Sequence, residues 1–253
     1  MFKHPFLYYY LWIAPHVLQV ALAALMMRQR LVRAYTAFFA YTIFEIFQFV
    51  ILLRLGMGGE PFLRQYAYAW YGGEVVSAVL RFVIIREIFG KVFEHYSSLQ
   101  HWGYSVFRWA TVLFMIAAVI IVALTPGSQT ERATIATNVI DRTVDIVQCG
   151  LLLLLVVLSR FLKFNWRSYV FGIALGLGLF AGLKLVDWEL SAKVLSPQTE
   201  DLFTMFLMAA YHCCVLFWVV TLLLPKPQTI HVSSMSPSNL DAWNDTLERF
   251  LHP

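Results

Sequence analysis

The chain has 253 residues, of which 60% are hydrophobic and only 13% charged, with a net charge of +4. Soluble domains carry about 25% charged residues, so this composition excludes a water-soluble domain and describes an integral membrane protein. Three cysteines, Cys149, Cys213 and Cys214, all fall inside apolar runs, where thiols act as small hydrophobes, and they offer neither a disulfide framework nor a CxxC metal motif.

The apolar residues gather into seven runs, which predict membrane-spanning helices near 8–27, 34–56, 67–89, 104–124, 136–159, 168–189 and 202–224. A helix crosses the hydrocarbon with about 20 residues, and only helices or closed barrels satisfy every backbone group there. These runs are too long and too continuous for barrel strands. Short connections make consecutive helices antiparallel neighbours, so residues 1–224 are expected to form one all-α, seven-transmembrane-helix bundle.

Loop charges set the orientation. One set of loops carries Arg28, Arg30, Arg33, Lys91, Arg160, Lys163 and Arg167. The opposite set has Arg64, Arg132 and Lys193 with Glu60, Glu131, Glu200 and Asp201 beside them, and Arg54 is a minor exception. Excess Lys and Arg mark the cytoplasmic side, which puts the N-terminus outside and the C-terminus in the cytoplasm, in the plasma (inner, cytoplasmic) membrane. The basic excess then follows from topology and lipid head groups, and no nucleic acid is implied. Lys3 and Ala21-Leu22-Ala23 mimic a signal peptide, but cleavage there would leave Arg28, Arg30 and Arg33 outside, so the first run is read as a true span.

Most of the spans carry polar residues at helical spacing. The first has Trp12, His16 and Gln19; the second Tyr41, Glu45 and Gln48; the third Glu74, Ser77 and Arg81. In the fifth, Asn138, Asp141, Asp145 and Gln148 fall at steps of three, four and three, which is one helix face. The sixth adds Lys184 and Asp187, and the seventh Thr204, Tyr211 and His212. A charge at the centre of a membrane helix costs roughly 2.5–3.5 kcal/mol on insertion scales, so it needs a partner or a function. The inner halves of the fifth and seventh spans are almost purely apolar. The stripes therefore predict a polar cavity open to the outside and sealed on the inside. Glu45, Glu74, Arg81, Asp141, Asp145 and Lys184 are its expected ligand- or ion-binding residues, with His16, Gln148, Asp187 and His212 as secondary candidates. Arg142 is expected among its cations.

Gly172/Gly176 and Gly178/Gly182 in the sixth span are small-xxx-small pairs that let helix backbones approach closely. Ordinary packing within the bundle is expected rather than a gating hinge, and a homodimer face is the other use of the same pattern. Aromatic residues near Tyr8–Trp12, Tyr66–Tyr71 and Trp188 suit an interfacial belt. After the bundle, residues 225–239 form a polar linker. Leu240, Trp243, Leu247 and Phe250 then recur at steps of three and four, predicting a short amphipathic cytoplasmic helix over 240–251 that docks on a partner protein or on the chain's own basic loops.

Chemistry-bearing motifs are missing. The seventh span has no lysine for a retinal Schiff base, and Lys184 lies in the sixth; the signatures of G-protein-coupled receptors are likewise lacking. A haem between His16 and His212 needs both rings in one cavity. There is no HExxH, GxSxG or phosphate-binding loop, so no catalytic residue, metal or cofactor is expected. The expected function is a non-enzymatic membrane sensor or regulatory protein, whose cavity takes a small ligand, ion or proton and which acts through a separate cytoplasmic partner. A small secondary transporter or proton-coupled permease is the alternative. A scaffold subunit of a membrane complex is the second.

Overall fold

The computed structural model describes residues 5–59, 62–92, 141–150, 169–191 and 197–224, with residues 135, 138, 139, 153 and 156. The expected span 104–124, the linker 225–239 and the tail helix with Leu240, Trp243, Leu247 and Phe250 lie outside the described residues. Six helices lie within them, and no strand. They are α1 (Pro5–Arg28), α2 (Thr36–Met57), α3 (Leu63–Val92), α4 (over 141–150), α5 (Tyr169–Ser191) and α6 (Pro197–Leu223). Four of these, α1, α2, α5 and α6, are long and apolar enough to cross a membrane. The third, α3, is longer still at 30 residues, but it carries Arg64, Glu74, Arg81, Arg86, Glu87 and Lys91.

Local chemistry places several helix ends. Proline opens both α1 and α6, where its missing N–H costs nothing. After α1 the Leu31 N–H reaches the Met26 carbonyl at 2.9 Å and the Arg30 N–H reaches Met27 at 3.1 Å, with Arg30 at φ 57°. This is a Schellman ending, with arginine at the left-handed position usually held by glycine. Its hydrophobic partners Met26 and Leu31 are both buried in the core. The next helix, α2, begins at Tyr35 without a side-chain cap of its own. Instead the Glu87 carboxylate of α3 accepts the Ala37 N–H at 3.2 Å, which satisfies one orphan donor and sets negative charge at the positive end of the helix.

The bundle buries several polar side chains and presents an apolar surface. Gln19, Thr42, Gln48, Ser77, Arg81, Asp145 and Gln148 are buried, whereas Val17, Val20, Phe47, Val50, Ile51, Val76, Val79, Val83, Leu179, Val186, Phe206 and Val220 are exposed. Such a surface suits hydrocarbon as the surrounding solvent, and α3 shares it with the four apolar helices. Over residues 76–83 the exposed side chains of α3 are valines, Val76, Val79 and Val83, while its charges at Glu74 and Arg81 turn inward.

Helix α2 packs on α3 and α1, α1 on α6, and α6 on α5, while α3 meets α5 more sparingly. One apolar cluster joins Leu22 and Met26 of α1, Phe38 of α2, Ile84, Ile85 and Ile88 of α3, Ile173 and Leu177 of α5, and Val215, Trp218 and Leu222 of α6. It joins the C-terminal halves of α1 and α3 to the N-terminal half of α2, and the N-terminal half of α5 to the C-terminal half of α6, so α2 runs antiparallel to α1 and α3, and α5 to α6. The glycines of α5 serve this packing: a Cβ at Gly172 would meet Thr221 and one at Gly176 would meet the Trp218 indole. Close approach of α5 to α6 is thus one use of the small-residue pattern. Gly73 of α3 plays the same part against Gln48 of α2.

Candidate functional site

Above the apolar cluster, towards the N-terminal half of α1, the polar stripes converge on one cavity of about 320 Å³. His16 of α1, Tyr41 and Glu45 of α2, and Glu74, Ser77 and Arg81 of α3 line it. Asn138 and Asp141, Lys184 of α5 and Tyr211 of α6 complete the polar wall, with Trp70, Phe180 and Leu207 as its apolar part. Helical spacing explains the convergence. Trp70, Glu74, Ser77 and Arg81 are separated by four, three and four residues, so a single face of α3 supplies four wall positions.

A four-membered ion cluster forms one side. Arg81 Nη1 lies 2.6 Å from Asp145 Oδ1 and its Nη2 contacts Asp141 Oδ1. Lys184 Nζ contacts Asp141 Oδ2 and lies 3.1 Å from Asp145 Oδ2. Two cations and two carboxylates, each carboxylate bridging both cations, tie α3, α4 and α5 together and sum to zero charge. Arg81 and Asp145 are almost wholly buried, a setting in which charges must be paired and hydrogen-bonded. Asp145 stands behind the wall: it orients both cations but does not line the cavity.

Two acids remain. Glu45 Oε1 accepts the Ser77 hydroxyl at 2.6 Å, while Glu74 lines the same space with no ion pair or side-chain hydrogen bond among the described residues. Neither has a cation of its own there. Elsewhere on the wall Gln19 Nε2 donates to the Tyr211 hydroxyl at 2.6 Å, and the Tyr41 and Tyr211 rings both line the cavity. His16 stacks on Phe49, with ring centroids 4.0 Å apart. Arg81 Nε is buried with no hydrogen-bond partner among the described residues.

The remaining sequence candidates separate. Glu45, Glu74, Arg81, Asp141, Lys184 and His16 come together at the wall, with Asp145 just behind. Gln148 is buried one turn further along α4, and its Nε2 lacks a partner among the described residues. Asp187 does not line the cavity. His212 faces away, its ring 5.7 Å from Tyr10, along a groove with Ile13, Val17 and Leu216; the two histidines therefore share no cavity. Arg142 corrects one expectation. It points outward, 2.6 Å from Glu189 and over the Trp188 ring. Adjacent residues on a helix diverge by about 100°, so Asp141 and Arg142 cannot both face inward. Phe180 and Leu207 carry no signal in the sequence. Trp70 does, through its spacing from Glu74, although its type suggested the interfacial belt.

No group of three or more His, Cys, Asp or Glu residues suited to a metal ion occurs among the described residues. Comparison with protein-family models, with curated proteins and with solved structures finds no match for this chain.

Proposed function

We propose that the chain is a multi-pass sensor or regulatory protein of the cytoplasmic membrane, a seven-helix bundle with its N-terminus outside. Its outward-facing cavity takes up a proton or a small cation, and the change is passed to a separate cytoplasmic partner, with the helix over 240–251 as the docking element. The observation that carries this reading is the unmatched acid pair. Arg81 and Lys184 are engaged by Asp141 and Asp145, whereas Glu45 and Glu74 share the cavity without a cation of their own among the described residues. A carboxylate isolated from water is strongly disfavoured, so acids at membrane depth hold a proton or sit beside a cation.

Two further features support it. The apolar cluster from Leu22 to Trp218 fills the half of the bundle that contains the arginine-rich Arg28–Arg33 loop, which suits a cavity open outward and closed inward. The polar stripes turn into the bundle, whereas a scaffold subunit would use such stripes towards its neighbours. A proton-coupled permease would use the same acids but must open the apolar cluster during its cycle.

The test is thermal unfolding of the purified chain in nanodiscs across pH and added cations, against a Glu45→Gln/Glu74→Gln double variant. The wild type is expected to respond and the double variant to respond much less. Equal responses would remove these acids from any site. Reconstitution into liposomes under a proton gradient separates the two mechanisms: a sensor gives no gradient-driven flux, and sustained flux abolished by the double variant would establish the permease.

A further inference from the structure

We infer that the cavity takes a small organic ammonium ion, an inference that rests on the cation-binding reading above and names the class of its ligand. Size argues first. About 320 Å³ is room for roughly ten water molecules, far more than a bare inorganic ion fills, and it sits at the small end of organic-ligand cavities. No metal-holding group of three ligands occurs among the described residues, so an inorganic ion would stay mostly hydrated and gain little from entering.

Wall chemistry argues next. Glu45 and Glu74 supply negative charge that the Arg81–Lys184 pair does not cancel, because that pair is closed by its own aspartates. Trp70, Tyr41 and Phe180 supply aromatic surface, which attracts an ammonium group while displacing the water around its carbons. An anion gains from none of these.

The experiment uses the full chain in nanodiscs, with unfolding followed against choline, tetramethylammonium, sodium and acetate at matched ionic strength and pH. Choline and tetramethylammonium are each expected to raise the unfolding midpoint saturably, with sodium and acetate inert. Glu74→Gln is expected to weaken the choline response by roughly tenfold or more, one lost charge contact. Trp70→Leu should weaken it too, and it serves as the second variant because it leaves every charge in place. An unchanged choline response in both variants would place binding elsewhere and overturn the inference. If protons or sodium shift the wild type and neither ammonium ion does, the ligand class is wrong while the cation cavity stands. If none of them acts, the reading beneath it falls as well.

Discussion

Arg81 on α3 and Asp145 on α4 meet at 2.6 Å, although 64 residues separate them in the chain and both side chains are nearly inaccessible. Removing one member of a buried pair strands the other charge, which costs about 3–5 kcal/mol. Arg81→Met leaves two aspartates facing Lys184 alone and is expected to unfold the bundle at markedly lower temperature. Arg142→Ala breaks an ion pair that is about half exposed, worth about 0–1 kcal/mol at most, and should leave the midpoint nearly unchanged. Thermal unfolding in the same detergent checks both, and similar losses in the two variants would contradict the buried cluster.

Lys184 and Asp145 should behave as a coupled pair. Asp145→Asn leaves Asp141 between two cations, and Lys184→Met leaves two carboxylates on one arginine. The double variant removes one charge of each sign and restores the balance. A double-mutant cycle is expected to show a coupling of about 0.5–3 kcal/mol, with the double variant less damaged than the sum of the singles. Strict additivity would mean that the two side chains do not interact in the folded chain.

Gly176 lies against the indole of Trp218, which is 2% exposed and has no room to retreat. Gly176→Ala should therefore cost about 1–3 kcal/mol as an overpacked contact, despite alanine's better helix propensity. A Trp218→Phe/Gly176→Ala pair should recover part of the loss. Unfolding midpoints of the three variants decide it; a stabilised Gly176→Ala would show that α5 and α6 are not in this contact.

Arg30 holds a left-handed backbone at φ 57°, a conformation that costs an ordinary L-residue roughly 1–2 kcal/mol. Glycine adopts it freely but gives some of the gain back through its more flexible unfolded chain. Arg30→Gly should stabilise the α1–α2 connection by about 0.5–1 kcal/mol. Removing the arginine also weakens the positive-inside signal, so orientation should be checked beside stability.

Orientation has its own test. In a cysteine-free background, Met57→Cys should react with an impermeant maleimide added to intact cells, and Arg33→Cys should not. Met57 is well exposed at one end of α2 and Arg33 lies just before the other. Labelling of Arg33→Cys alone would invert the N-out arrangement.

Much of this was legible in the residues. Composition and the length of the apolar runs determined a helical membrane protein, because hydrocarbon admits few ways of satisfying a backbone. Helical spacing placed Glu45, Glu74, Arg81, Asp141 and Lys184 on inward faces, since a face is a local property of periodicity. The choice of partners was not local. Only the tertiary structure decided that Asp141 and Asp145 both bridge Arg81 and Lys184, that Arg142 turns out to Glu189, that Gly176 is used against Trp218, and that Glu87 caps a helix 50 residues away. Those choices depend on how each helix is rotated and on which neighbour it meets, and apolar surface cannot specify them when lipid is as good a neighbour as another helix. Close packing and charge pairing settle them instead. That pairing is complete for the aspartates and absent for Glu45 and Glu74 among the described residues, and it turned a set of polar stripes into one cavity.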